Sequence, residues 1–260
     1  MTDPADDLWG RGDYPAMARR LEPAAALVAG GAGPGRGRFA LDVAAGTGSV
    51  ALRLADAGWR VTATDGSAHL VALGEQATDH EIQEVEWLRA DLAAQPCPDA
   101  SQDLVTSSFG LIFAADPVAA MAEVARVLTP AGRLALTSWT DDGHMAGMTE
   151  AMAAYLPAPG GAHRPRRWGS PSFLEELLAP RFLDVRIDTH TLPWTFPSAA
   201  AGRRWLERTS PAHLGAMALA GEHAEEMMDA VEEHLAGYAD RFGRVEVAAE
   251  FRLVRAQRVP

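Results

Sequence analysis

Between residues 39 and 139, short apolar runs alternate with stretches whose apolar residues recur every three or four positions. Phe39-Ala-Leu-Asp-Val43, Arg60-Val-Thr-Ala-Thr64, Val85–Arg89, Asp103–Ser107 and Arg133–Trp139 read as strands. Val50–Ala57 and Ala68–Ala77 read as intervening helices. Asp116-Pro117 opens a further helix with Met121, Val124, Ala125 and Leu128 on one side, and Thr129-Pro-Ala-Gly132 then turns the chain into the fifth strand. Asp as N-cap with Pro in the first turn is sound start chemistry. Such alternation predicts an α/β fold, a doubly wound parallel sheet covered by helices on both faces.

Outside this stretch the pattern differs. Tyr14–Val28 reads as a helix with Met17, Leu21 and Leu27/Val28 apolar, and Gly30–Gly37 as a flexible joint. After residue 140 a Gly-, Pro- and Arg-rich loop (Pro157–Gly169) precedes a short helix, Pro171–Leu178, and a sixth strand begins at Phe182, Val185 and Ile187. Residues 198–241 read as three short helices broken at Ser210-Pro211 and Gly221. Val245, Val247, Ala249, Phe251 and Leu253 alternate with period two, the mark of a half-buried last strand.

Charge narrows the function. With 23 Lys+Arg against 35 Asp+Glu the net charge is −12, and no basic stripe is visible, so nucleic acid is a poor partner. No apolar run reaches the length of a membrane span, and the start, Met1–Asp7, is acidic rather than signal-like. The chain contains no Lys and no Asn. A Walker loop, a pyridoxal Schiff base and a lysine nucleophile are therefore closed. A single Cys97 between two prolines supports no intrachain disulfide, and a cytoplasmic location is expected. No His/carboxylate spacing suits zinc or iron, so no metal is expected.

Leu41-Asp-Val-Ala-Ala-Gly-Thr-Gly-Ser-Val-Ala51 carries the chemistry. Gly46-x-Gly48-x-x-Ala51 matches a dinucleotide fingerprint, and Asp65 follows 19 residues after Gly46. Asp42, four positions ahead of Gly46, would oppose a pyrophosphate and suit a ligand bearing an ammonium group. That favours S-adenosylmethionine over NAD.

With these residues in view, the chain resembles the class I S-adenosylmethionine-dependent methyltransferases, particularly small-molecule enzymes akin to quinone-biosynthesis C-methyltransferases. The resemblance spans about residues 9–139. Asp42-x-x-x-Gly46-x-Gly48 is similar to the family's first motif, with Ala44 where many members carry Gly. Asp65, in Thr64-Asp-Gly66-Ser67, matches the acidic residue on the ribose. Asp91-Leu92 matches the adenine site, and Ser107-Ser108-Phe109 the segment beside the methionine moiety and the methyl. Trp9 and Tyr14 resemble an N-terminal segment folding over the cofactor, or else simply anchor a helix. The resemblance implies a Rossmann-like seven-stranded sheet of order 3-2-1-4-5-7-6 with its last strand antiparallel. It implies one domain: a helical segment (1–38), a cofactor-binding core (39–139), the rest of the sheet (140–197 and 242–260), and a helical lid (198–241) between the last two strands.

The expected activity is in-line methyl transfer from S-adenosylmethionine to a small organic acceptor, a natural product among the options, leaving S-adenosylhomocysteine. A monomer or homodimer without nucleic acid or membrane partners is expected. His144, His163 and His213 are candidates for a general base, each with a plain packing or surface reading beside it. Arg164, Arg166 and Arg167 read as an anion-binding or a solvated loop, and Met217, Met227 and Met228 as a pocket lining or a core. Two alternatives stay open: an NAD-dependent oxidoreductase with pyrophosphate at Gly46, and a cofactor-binding relative without methyl transfer, a scaffold or a cyclase.

Overall fold

The computed structural model describes residues 8–157 and 165–260. The chain runs through α1 (Tyr14–Ala32), β1 (Phe39–Val43), α2 (Ala51–Asp56), β2 (Arg60–Asp65), α3 (Ala68–Ala77) and β3 (Val85–Arg89). It continues through β4 (Gln102–Ser108), α4 (Pro117–Val127), β5 (Leu128–Trp139), α5 (Gly143–Ala153) and α6 (Pro171–Leu178). Last come β6 (Phe182–Phe196), α7 (Ala199–Thr209), α8 (Pro211–Ala220), α9 (Ala224–Ala236) and β7 (Val245–Arg258).

The strands form one sheet of order β3-β2-β1-β4-β5-β7-β6, the order implied by the family resemblance. β1 lies between two parallel neighbours, Leu41 opposite Thr62 of β2 and Val105 of β4. It is buried along all but its first residue, which explains its continuous apolar run. β7 runs antiparallel to both β5 and β6. Its period-two burial pattern continues the alternation read from Val245. The chain order reverses between β1 and β4, so a crevice opens at their carboxyl ends.

Several elements differ from the sequence reading. α1 continues through Gly30 and Gly31 to Ala32, because Val28, Ala29 and Ala32 are buried and packing outweighs glycine's low propensity. The joint is correspondingly shorter. β5 starts at Leu128, since Leu128 pairs with Gln102 before a register shift brings Arg133 opposite Leu104. α5 was not anticipated; its small residues and methionines form no single apolar stripe, yet Ala146 and Met148 are buried.

No helix joins β3 to β4. Instead Asp91 bridges to Ala94, the Gln95 side-chain amide donates to the Asp91 carbonyl (2.7 Å), and Arg126 donates to the Gln95 and Cys97 carbonyls (3.0 and 2.9 Å). A salt-bridged arginine thus holds a short crossover that the close spacing of Asp91 and Ser107 demands.

α7, α8 and α9 lie between β6 and β7, and α9 packs against α5, α7 and α8. Among the described residues no helix is long and apolar enough to cross a membrane. Phe251 of β7 is fully buried beside Phe109 and His190 (ring centroids 5.7 and 5.5 Å). Phe251→Ala is expected to lower unfolding free energy in urea by about 3–5 kcal/mol. Phe242, 79% exposed, supplies the control: Phe242→Ala should stay within roughly 0.5 kcal/mol of the parent.

Candidate functional site

The turn after β1 is built from left-handed residues. Ala44 (φ 54°), Gly46 (φ 58°) and Gly48 (φ 93°) fold the chain from the sheet into α2. Two bonds fasten this turn to the end of β2: Ala45 N–H to the Thr64 carbonyl, and Gly46 N–H to Asp65 Oδ2, both 2.9 Å. The other Asp65 oxygen accepts from Ser67 N–H at 2.9 Å. A Cβ on Gly46 would stand 2.5 Å from the Tyr14 hydroxyl, so the N-terminal helix lies directly over the turn.

Asp42 sits one strand-step below, 1% exposed, accepting from Thr106 Oγ1 at 2.7 Å and from the Ala51 backbone N–H. Burial pushes its carboxyl up to about 7; the two hydrogen bonds oppose that rise and the Asp65 charge adds to it. Burial, then the Asp65 and Asp42 charges, push the Tyr14 phenol up as well, so it stays neutral. A buried carboxyl that pairs with no cation among the described residues, near the carboxyl of Asp65, is a group prepared for a positive ligand.

A cavity of about 300 Å³ opens at these strand ends. One side is Ala44, Asp65, Gly66, Asp91 and Leu92; Trp9, Tyr14, Met17 and Leu21 cover it; Ser108 and Phe109 form the middle. The far side is Trp139, Met145, Trp194 and the Ser210–His213 turn. A smaller recess containing Asp42 adjoins it, sharing Tyr14, Leu21, Ala44 and Ser108. Phe109 is also left-handed (φ 57°), held by Thr137 Oγ1 accepting its N–H at 3.0 Å and by stacking on Trp139 (centroids 4.1 Å).

Trp9, Tyr14, Ala44, Asp65, Gly66, Asp91, Leu92, Ser108 and Phe109 therefore meet in one cavity, with Asp42 in the adjoining recess. Gly46 lies beneath Tyr14. The others stand outside the wall for local reasons. A Cβ on Gly48 would meet Trp87, Ser67 caps α3 by accepting from Leu70 N–H (3.3 Å), and Ser107 accepts from Leu111 N–H (3.1 Å).

The histidines separate. His213 lines the cavity; His144 is buried behind the wall, its ring stacked on His234 (5.0 Å); His163, with Arg164, falls outside the described residues. Arg166 pairs with Glu150, Arg167 lies over Phe173, and Met227 and Met228 are buried core of the helical cluster.

Sequence reasoning missed the far wall. Trp139 closes β5 at the same sheet edge as Phe109, a signal that was readable. Trp194 and Met145 depend on the full length of β6 and on α5, which left no clear periodic trace.

The methyltransferase-domain family profile matches residues 41–136. The chain is 32% identical over 181 residues to the uncharacterized protein Rv1403c of Mycobacterium tuberculosis, covering 69% of this chain and 66% of that one, so the match spans slightly under two thirds of the relative. It is 42% identical over 102 residues to the ubiquinone/menaquinone biosynthesis C-methyltransferase UbiE of Rubrivivax gelatinosus, 39% of each protein. Among solved structures, the YcgJ protein of Bacillus subtilis superposes with a TM-score of 0.63 at 16% identity, covering 94% of this chain and 99% of that one. At that identity the likeness is one of fold.

Two substitutions test the turn. Ala44 holds a conformation that disfavours a Cβ by about 1 kcal/mol, so Ala44→Gly should stabilise the protein by that order in thermal or urea unfolding. Asp42 has a folded pKa raised from 3.8 to about 7. Stability carried by its neutral form is complete below pH 4 and is lost as pH climbs through 7. Asp42→Asn should thus match the parent near pH 4 and exceed it at pH 8 by a few kcal/mol, on the order of 4 at most.

Proposed function

Because the chain belongs to the class I S-adenosylmethionine-dependent methyltransferases through its residues 41–136, we propose that the cavity binds S-adenosylmethionine and passes its methyl group to a small organic acceptor. One observation carries this reading. Asp65 and Asp91-Leu92 face the same cavity that continues into the recess of Asp42, so ribose, adenine and cationic amino-acid groups have partners in the order the cofactor needs.

The residues fit such a ligand. An ionised carboxylate offers about four acceptor sites, so Asp65 accepts vicinal hydroxyls beside its bonds to Gly46 and Ser67. Asp91 receives an exocyclic amine, and the Leu92 N–H meets a ring nitrogen. Asp42 draws the methionine ammonium toward the recess. A diphosphate, doubly anionic, is repelled by the same carboxylates, which disfavours NAD.

The cofactor supplies an electrophilic methyl on a sulfonium. The protein's work is alignment: Phe109, fixed by Trp139 and Thr137, bounds the space in which acceptor and methyl meet at roughly 3 Å. Trp9, in edge contact with Phe113 and Tyr14, shields that space from water. As the acceptor's electron pair forms the new bond to carbon, the carbon–sulfur pair stays on sulfur, giving S-adenosylhomocysteine and releasing any acceptor proton. The helical cluster 198–241 serves as the lid of the acceptor side, with His213 at its inner surface.

Calorimetry checks the cofactor end. S-adenosylmethionine should bind and NAD should not, and Asp65→Ala should weaken binding about 10- to 100-fold. Cation binding must also displace the proton that Asp42 holds below pH 7. Affinity should fall on acidification from pH 8 to 6, with proton release visible as a buffer-dependent heat. An affinity that ignores pH would remove Asp42 from the amine site.

A further inference from the structure

Three buried nitrogens in or behind the far wall of the cavity have no hydrogen-bond partner among the described residues: His144 Nε2, Trp194 Nε1 and His213 Nε2. Their residues are 3%, 2% and 5% exposed. Trp194 and His213 line the cavity; the His144 ring stands 6.4 Å from that of Trp194. Unpaired buried polar groups are rare and costly, and the two that belong to cavity-lining residues, Trp194 and His213, point to a ligand that pairs with them.

Their protons can be placed. An indole nitrogen only donates. Ser210 Oγ stands 2.7 Å from His213 Nδ1 and 3.4 Å from the His213 backbone N–H, which itself donates. With the Ser210 hydroxyl donating to Nδ1, the neutral ring carries its own proton on Nε2. His234 Nε2 is 3.1 Å from both the His144 carbonyl and His144 Nδ1. A carbonyl only accepts, so His234 donates to both, His144 Nδ1 accepts, and His144 also carries its proton on Nε2. Burial pushes both rings down to about 4, which keeps them neutral.

In these tautomers all three orphan atoms are donors, and they stand among apolar rings: Trp139 contacts Trp194 edge-on (6.1 Å) and stacks on Phe109. We propose that this end of the cavity recognises the acceptor through an oxygen that accepts hydrogen bonds, carried on a planar apolar molecule: a ketone, or the enolate or phenolate related to it. Trp194 Nε1 and His213 Nε2 are the donors. The proposal rests on the methyltransferase reading for what reacts there, and it changes the role considered for His213 from base to donor. Two N–H groups on such an oxygen favour its anionic form, so the acceptor loses its proton to solvent without a dedicated basic side chain.

1-Tetralone, a planar enolisable ketone, and tetralin, its hydrocarbon counterpart, are titrated against the whole protein with and without S-adenosylhomocysteine, following tryptophan fluorescence. Tetralone is expected to bind at least tenfold tighter than tetralin; equal affinity overturns the proposal. Trp194→Phe and His213→Phe should each remove most of that preference, read as the ratio of tetralone to tetralin affinity in the same variant. Nitrogen-15 spectra of the unmutated protein read the tautomers independently of any variant. Nε2–H on both His144 and His213 is expected, and Nδ1–H on His213 overturns the donor assignment. Failure of S-adenosylhomocysteine to bind would instead sink the methyltransferase reading, while the tetralone arm still decides this one.

Discussion

The site hangs on the bond between Gly46 N–H and Asp65. It joins the turn leaving β1 to the last residue of β2, so two adjacent parallel strands end at one fixed point. The bond requires Gly46 to be left-handed and bare of a Cβ, because Tyr14 occupies the space above it. The other Asp65 oxygen is held by Ser67 N–H, so two backbone donors fix this buried carboxyl in place. From this point the rest follows in sequence: α1 is held down over the turn, Asp42 is sealed below it, and the crevice between β1 and β4 gains a floor. A single side chain longer than hydrogen at position 46 would separate all three.

Much of this was legible because the central strands are governed by local rules. A parallel strand buried on both faces must be a short apolar run, and the acidic residues at the ends of β1 and β2 interrupt such runs where nothing in packing asks for charge. Asp42 and Asp65 therefore declared themselves, as did the β7 alternation. What stayed hidden was decided by tertiary contacts. Gly30 and Gly31 are helical only because Ala29 and Ala32 bury against the sheet. α5 lacks an apolar stripe since several elements surround it. Gly48 looked like a ligand glycine, yet the neighbour that forbids a Cβ there is Trp87, 39 residues onward. A glycine fingerprint does not say whether ligand or protein fills the space it leaves.

Backbone strain falls at the same place. Ala44 and Phe109, both left-handed without being glycine, lie on neighbouring strand ends and face the cavity. A Cβ on Gly110 would collide with that of Ala44, so the two strained turns are in direct contact. Strain of about 1–2 kcal/mol at each persists because the surrounding bonds over-determine it. For Phe109 those bonds are the stack on Trp139 and the Thr137 hydroxyl. The turns set where β1 and β4 end, and hence the width of the crevice between the carboxylates and the aromatic wall.

The electrostatics of the two ends differ in kind, and the difference suits a reaction that consumes charge. Carboxyl groups stand at the end proposed for the cofactor's cation; on the proposed reading, neutral N–H dipoles stand at the other. Were the far end built from Arg, an anionic acceptor would be bound tightly, but its electron pair would be held back from the methyl. The chain had Arg to spare, since all 23 of its Lys+Arg residues are Arg, and yet among the described residues none lines this cavity. On the proposed reading, neutral donors in an aromatic-lined chamber favour the anion enough to form it and little enough to let it react. In the proposed transfer, positive charge at sulfur and negative charge at oxygen fall together as the new bond forms, and an apolar enclosure resists that change less than water does. The geometry that positions the reactants is thus also the geometry that keeps both charges lightly held.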